Sequence, residues 1–173
     1  MFSITPQMEQ AWAALNKPKA TTADIAAIES VAGVKLPAPY VEFVQRYGFV
    51  TFGRDPERRW AFSYALEGDG QREIREDVVA YLFKTEKVVM ALRNMTASTD
   101  PDDEALPSIP PGYLPIGSNL EEGTLLLDIG DRLGQIWFWP QSDWRWGTEG
   151  NTRLGFVAND FEAFINGLRP DPL

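Results

Sequence analysis

Tyr113-Leu-Pro-Ile-Gly-Ser-Asn-Leu-Glu-Glu-Gly-Thr-Leu-Leu-Leu-Asp-Ile-Gly-Asp-Arg-Leu-Gly-Gln-Ile-Trp-Phe-Trp-Pro140 is the stretch that decides the fold. Three short apolar runs, Leu114 to Ile116, Thr124 to Ile129 and Gln135 to Trp139, are separated by Gly117-Ser118-Asn119 and by Gly130-Asp131-Arg132 with Gly134. Runs of about 4–8 residues bounded by Gly, Asn and Asp read as strands joined by tight turns. Leu125-Leu126-Leu127 has no polar alternation, which predicts a strand buried on both faces. Consecutive strands usually pair. The stretch is therefore expected to be the middle of an antiparallel sheet.

Working outward, the chain of 173 residues fits one domain, at most with an appendage. At 44% hydrophobic and 12% aromatic it can bury a full core. No apolar run reaches the ~18 residues that would span a bilayer. Met1-Phe-Ser-Ile-Thr-Pro-Gln-Met-Glu has neither a basic n-region nor an apolar h-region, so the expectation is a cytoplasmic chain without a membrane partner.

Cysteine and histidine are both absent. That excludes disulfides, thiolate nucleophiles, thiolate or imidazole metal sites and the Ser-His-Asp arrangement. Ser63, Ser118 and Thr124 have no histidine to activate them and no Ser-x-x-Lys spacing. The expectation is a protein that is not an enzyme and has no cofactor or metal. A formal net charge of −9 repels phosphate backbones, so nucleic acid is not an expected partner, whereas a basic protein is.

Met8, Ala11, Trp12 and Leu15 share one face of a short helix in a lead-in over 1–20. Thr21 or Thr22 caps a second helix with Asp24 in its first turn, an apolar stripe of Ile25, Ile28 and Ala32, and Gly33 as its stop. Leu36-Pro37 leads into a third, about Ala38 to Tyr47, burying Tyr40, Phe43, Val44 and Tyr47. Arg59 to Leu66 alternates, with Trp60, Phe62, Tyr64 and Leu66 on one face of a strand. Ile74, Val78, Tyr81, Leu82, Thr85, Val89 and Leu92 fit a helical stripe, and no turn signal interrupts Glu73 to Asn94; that segment is read as helix, with Val78 to Phe83 as a possible strand. Thr96 to Gly112 is a polar, proline-rich loop. Leu154 to Val157 is a short strand, and Asn159 with Glu162 caps a last helix burying Phe161, Phe164, Ile165 and Leu168. The fold expectation is α+β: a single domain over 21–169, with an antiparallel or mixed sheet of five to six strands. An N-terminal helical hairpin and a C-terminal helix pack on it.

Leu36-Pro37-x-x-Tyr40-x-x-Phe43, then Leu114-Pro-Ile-Gly117, Gly123-Thr-Leu-Leu-Leu-Asp128 and Gly134-Gln-Ile-Trp-Phe-Trp139, and finally Val157-Ala-Asn-Asp-Phe161 follow in an order that resembles the SUKH superfamily, the cell-wall-assembly-regulator-like domains. The resemblance covers roughly Thr21 to Leu168. It implies a protein-binding domain of the bacterial immunity type, which neutralises a toxin effector such as a nuclease by direct binding. The alternative it leaves is a regulatory or scaffolding module for an endogenous protein. Leu36, Pro37, Tyr40, Gly117, Leu127, Asp128 and Phe161 match the pattern as fold determinants, so no functional residue carries over. The stretched turn Ser118-Asn-Leu-Glu-Glu-Gly123 departs from it.

The candidate partner-binding residues are Asp100, Asp102, Asp103 and Glu104 in the polar loop, Glu121 and Glu122 at the central turn, and Trp144 and Trp146 beside Arg145. The first four lack the spacing of an EF-hand and its sixth-position glycine. A solvated loop offering carboxylates to lysines and arginines accounts for them better. Loop tryptophans with an arginine suit interface anchors, against plain packing under the loop. Trp137, Trp139, Trp144 and Trp146 with Asp131, Asp143 and Glu149 also resemble parts of a sugar cleft, a third reading as a carbohydrate-binding or glycosidase-like protein, although nothing in the spacing demands the paired carboxylates.

Overall fold

Turn chemistry and apolar runs produce the predicted central strands, and more strands flank them than the sequence suggests. The computed structural model describes residues 1–13, 18–52, 59–68, 71–95, 110–140, 146–147 and 150–171. Among them the order is α1 (Pro6–Ala13), α2 (Thr22–Ala32), α3 (Ala38–Tyr47), β1 (Trp60–Gly68), β2 (Gln71–Val79), β3 (Tyr81–Leu82), α4 (Thr85–Met95), β4 (Tyr113–Ser118), β5 (Thr124–Asp128), β6 (Ile136–Trp139), β7 (Gly155–Ala158), α5 (Phe161–Asn166) and β8 (Arg169–Pro170). The strands form one sheet in the order β2-β1-β7-β6-β5-β4-β3, and β8 also pairs with β1. Every pairing is antiparallel. The α+β class holds, but the sheet has eight strands rather than five or six. The surplus comes from β2, from the two-residue β8, too short to leave a periodic signal, and from β3, which falls inside the Val78 to Phe83 strand kept as the alternative to helix.

β2 corrects the helix read across Glu73 to Asn94. Gln71 to Val79 pairs residue by residue with Gly68 to Trp60 over nine positions, and only Thr85–Met95 is helical. Glu, Arg and Gln favour helix locally. Here an antiparallel partner supplies the backbone bonds, and strand preference follows that context. Gln71 to Glu76 is exposed on both faces, so the apolar alternation that marks a strand is missing.

The core lies where the helices meet one face of the sheet. Leu125, Leu126 and Leu127 are fully buried, as a strand covered on both faces requires. Trp60, Phe62, Tyr64 and Leu66 are buried on the helix-covered face, where Phe62 meets Phe138 with ring centroids 5.1 Å apart. Phe43 of α3 and Phe161 of α5 approach to 5.2 Å, and Trp12 of α1 packs edge-on against Phe43 at 5.6 Å. The lead-in helix thus belongs to the same core through Met8, Ala11 and Trp12. Leu15 lies outside the described residues. Edge-to-face ring pairs of this kind add about 0.5–1.5 kcal/mol each beyond burial.

The caps are largely those expected. Thr21 and Asp24 form a reciprocal capping box on α2, and Gly33 ends it in the left-handed region at φ 73°. Asp160, not Asn159, caps α5, because its Oδ1 accepts the Ala163 N–H at 2.7 Å. Glu162 instead pairs with the Met1 ammonium.

Candidate functional site

The turn between β4 and β5 is built around a buried amide. Asn119 Oδ1 accepts the backbone N–H groups of Glu121 at 3.0 Å and Gly123 at 2.8 Å, and its own N–H reaches Gly123 O at 3.1 Å. Its Nδ2 donates to Asp77 Oδ2 at 3.1 Å, which ties the turn to the end of β2. Asn side chains favour such local bonds to the backbone. Gly123 closes the turn over the core: a Cβ there would lie 2.2 Å from Phe138 Cζ. The consequence is a rigid base from which Glu121 and Glu122 project into solvent.

Asp77 accepts the Val78 N–H at 2.7 Å as well as the Asn119 amide. Burial nevertheless pushes its carboxyl above the usual range, and the charge of Glu121 adds to that rise. Beside the turn lies a hollow of about 320 Å³ lined by Tyr81, Phe83, Lys87, Ser118, Glu121 and Glu122 among others. Lys87 Nζ sits 3.9 Å from the Phe83 ring centroid and 5.1 Å from that of Tyr81, and donates to the Tyr81 hydroxyl at 3.2 Å. These are cation–π distances. Two projecting carboxylates therefore flank a hollow with an aromatic wall and one cation.

Thr124 at the base of this turn is the register partner of Trp139, which brings Trp146 to the same end of the sheet. Trp146 packs edge-on against Trp139 at 5.7 Å and is half-buried. Trp139 is fully buried, with its Nε1 donating to Asn151 Oδ1 at 2.8 Å, so it has no face for a sugar ring. Trp137 is half-buried against Phe156 at 5.4 Å and carries the Arg132 guanidinium 4.9 Å above its ring.

The opposite turn, between β5 and β6, is held by a buried carboxylate. Asp128 Oδ1 accepts the Gly130 N–H at 2.8 Å and the Arg132 N–H at 3.4 Å, and Asp128 O accepts from Gly134 at 2.8 Å. A second hollow of about 310 Å³ lies there, lined by Pro111, Gly112, Tyr113, Asp128, Gly130, Asp131 and Arg132. Burial raises the Tyr113 phenol, and the Asp128 charge raises it further.

Of the predicted residues, the structure thus brings Glu121, Glu122 and Trp146 to one end of the sheet. Asp100, Asp102, Asp103, Glu104 and Trp144 lie outside the described residues, as do Asp143 and Glu149. Asn119, Asp77 and Lys87 escaped the sequence reading. An Asn two residues ahead of Glu121 was a visible turn signal, but nothing local announces a bond to a residue 42 positions away. Among the described residues no group of three or more carboxylates could hold a metal ion, and no helix is long and apolar enough to cross a membrane.

Residues 19–167 fit the model of the SMI1 / KNR4 family (SUKH-1). No curated protein and no solved structure matches the chain.

Proposed function

The chain belongs to the SMI1 / KNR4 family (SUKH-1), and from that premise we propose that it is a non-catalytic protein-binding domain of the immunity type. It neutralises a bacterial toxin effector, such as a nuclease, by direct binding in the cytoplasm. Family membership is consistent with an immunity-like or regulatory domain that engages a protein partner. The observation that carries the reading is the β4–β5 turn: two projecting carboxylates on a base fixed by Asn119, beside a hollow walled by Tyr81 and Phe83. A pre-formed acidic tip loses little conformational freedom on docking. On a chain of net charge −9 it also attracts a basic partner over long range, raising the association rate. The absence of histidine and cysteine from the whole chain supports action by occupation rather than by turnover.

The test is binding and rescue with the product of the adjacent gene. Titration calorimetry should give a one-to-one complex, and co-expression should restore growth of cells carrying that product. Replacing Glu121 and Glu122 by lysine should weaken the complex at least about tenfold, as reversing interfacial charges does, while leaving the far-ultraviolet circular dichroism spectrum unchanged. Equal affinity in this variant would remove the tip from the interface. No complex and no rescue would sink the immunity reading and favour an endogenous partner.

A further inference from the structure

The two edges of the sheet are finished differently. At the β3 edge the chain itself continues the hydrogen bonding: Thr51 bridges Tyr81, Phe52 N donates to Ala80 O at 2.8 Å, and Leu82 N donates to Val50 O at 2.9 Å. At the other edge stands β2, with six consecutive exposed residues from Gln71 to Glu76 and no strand on its outer side among the described residues. Alternate residues of such a strand turn N–H and C=O groups outward, a template for another strand. Natural edges are commonly guarded by proline or by charge that repels a like strand. Gln71 to Val79 contains no proline, and its charge pattern does the reverse.

The sequence Arg72-Glu73-Ile74-Arg75-Glu76 is self-complementary when run antiparallel to itself. With a two-fold axis at Ile74, Glu73 stands opposite Arg75 of a second copy, and Arg72 opposite Glu76 of that copy. Each pairing occurs twice, giving four opposed ion pairs around an Ile74–Ile74 contact. Directly opposed unlike charges stabilise an antiparallel pair and like charges destabilise it. The neighbouring registers fail on that rule. An axis at Glu73 or Arg75 sets that residue against its own copy, and an axis at Arg75 also sets Glu73 against Asp77.

Ile74 is 60% exposed amid these charges. Its register partners continue as Ala65, Phe156, Trp137, Leu126 and Pro115, an apolar row on the sheet face turned away from the aromatic core. Pairing at Ile74 carries that row into the second copy. The charges are already organised: Glu73 Oε1 and Oε2 accept from Arg75 at 2.8 and 3.0 Å, and Glu76 pairs with Arg169. A second copy converts each pair into a larger alternating cluster.

We propose that the chain forms a two-fold homodimer through β2, joining two sheets into one. Sedimentation equilibrium of the full chain tests it. The contact is small, under ~1,200 Å², so the association is expected within about 10 µM to 1 mM and weakens with salt. E73R sets arginine against arginine, and R75E sets glutamate against glutamate. Each variant alone should remain monomeric throughout this range with an unchanged far-ultraviolet circular dichroism spectrum. An equimolar mixture of the two should dimerise like wild type, because every opposed pair is then Arg–Glu. A monomeric wild type, single variants that associate as wild type does, or a mixture that stays monomeric would each overturn the proposal.

Discussion

The β4–β5 and β5–β6 turns use one device at opposite ends of the same sheet, and they diverge in what they display. In each, a buried Asx side chain, Asn119 or Asp128, accepts backbone N–H groups from the residues that round the corner. At the β5–β6 turn the anchor is itself charged, and Arg132 folds back over Trp137. At the β4–β5 turn the anchor is a neutral amide, its spare N–H is used on Asp77, and the two acids that follow stay exposed. An amide anchor adds no charge of its own, so the acids displayed at the tip are Glu121 and Glu122, with Lys87 the cation of the adjoining hollow. The difference teaches that the same hydrogen-bond frame serves either to close a corner or to hold charge outward.

The sharpest way to separate the turns is by their glycines. Gly123→Ala drives a methyl into Phe138, and a loss of about 3 kcal/mol in denaturant unfolding is expected from overpacking. Gly130→Ala finds nothing nearer than 3.6 Å and should stay within about 0.5 kcal/mol. Equal losses would mean the corners are equally tight. Next in size, Asn119→Ala removes the acceptor for two backbone N–H groups and should cost about 2 kcal/mol by the same measurement. It should also weaken partner binding, since it releases the tip.

Proton linkage gives a smaller effect. The folded value of Asp77 lies above its unfolded value, mainly through burial. The folded state therefore holds that proton more tightly; its contribution to stability is present at low pH and is lost as pH rises through the folded value. Asp77→Asn leaves one oxygen where two serve Val78 N–H and Asn119 Nδ2, so it gives up one of those bonds and lowers stability at every pH. It also removes the titrating proton and should flatten that part of the stability–pH curve, which melting at a series of pH values would read. Smallest is Asp128→Asn. It removes one charge that raises the Tyr113 phenol, so Tyr113 should ionise at lower pH in an ultraviolet titration while the turn persists.

The sequence carried the central hairpins because their turn residues are chemically distinctive and Leu125 to Leu127 is unbroken. It carried α3 because Tyr40, Phe43 and Val44 recur at helical spacing, and all three are fully buried. Tyr40 also shows what spacing hides: its hydroxyl is buried without a hydrogen-bond partner among the described residues. β2 was illegible because its stability resides in β1, not in its own composition. The cap of α5 slipped by one because Asn159 and Asp160 are both good caps, and only the reach of Asp160 to Ala163 decides between them. At the candidate site, Glu121 and Glu122 were visible as a polar tip, whereas the Asn119–Asp77 bond that fixes them is a product of folding.

The most direct measurement is the calorimetric affinity of the adjacent gene's product for wild type, E121K and D131K. Glu121 and Asp131 are both exposed acids, one on each turn, and both substitutions change the charge equally. The account predicts that E121K loses affinity at least about tenfold while D131K binds as wild type does. Equal binding by the two variants, or a loss confined to D131K, would contradict it.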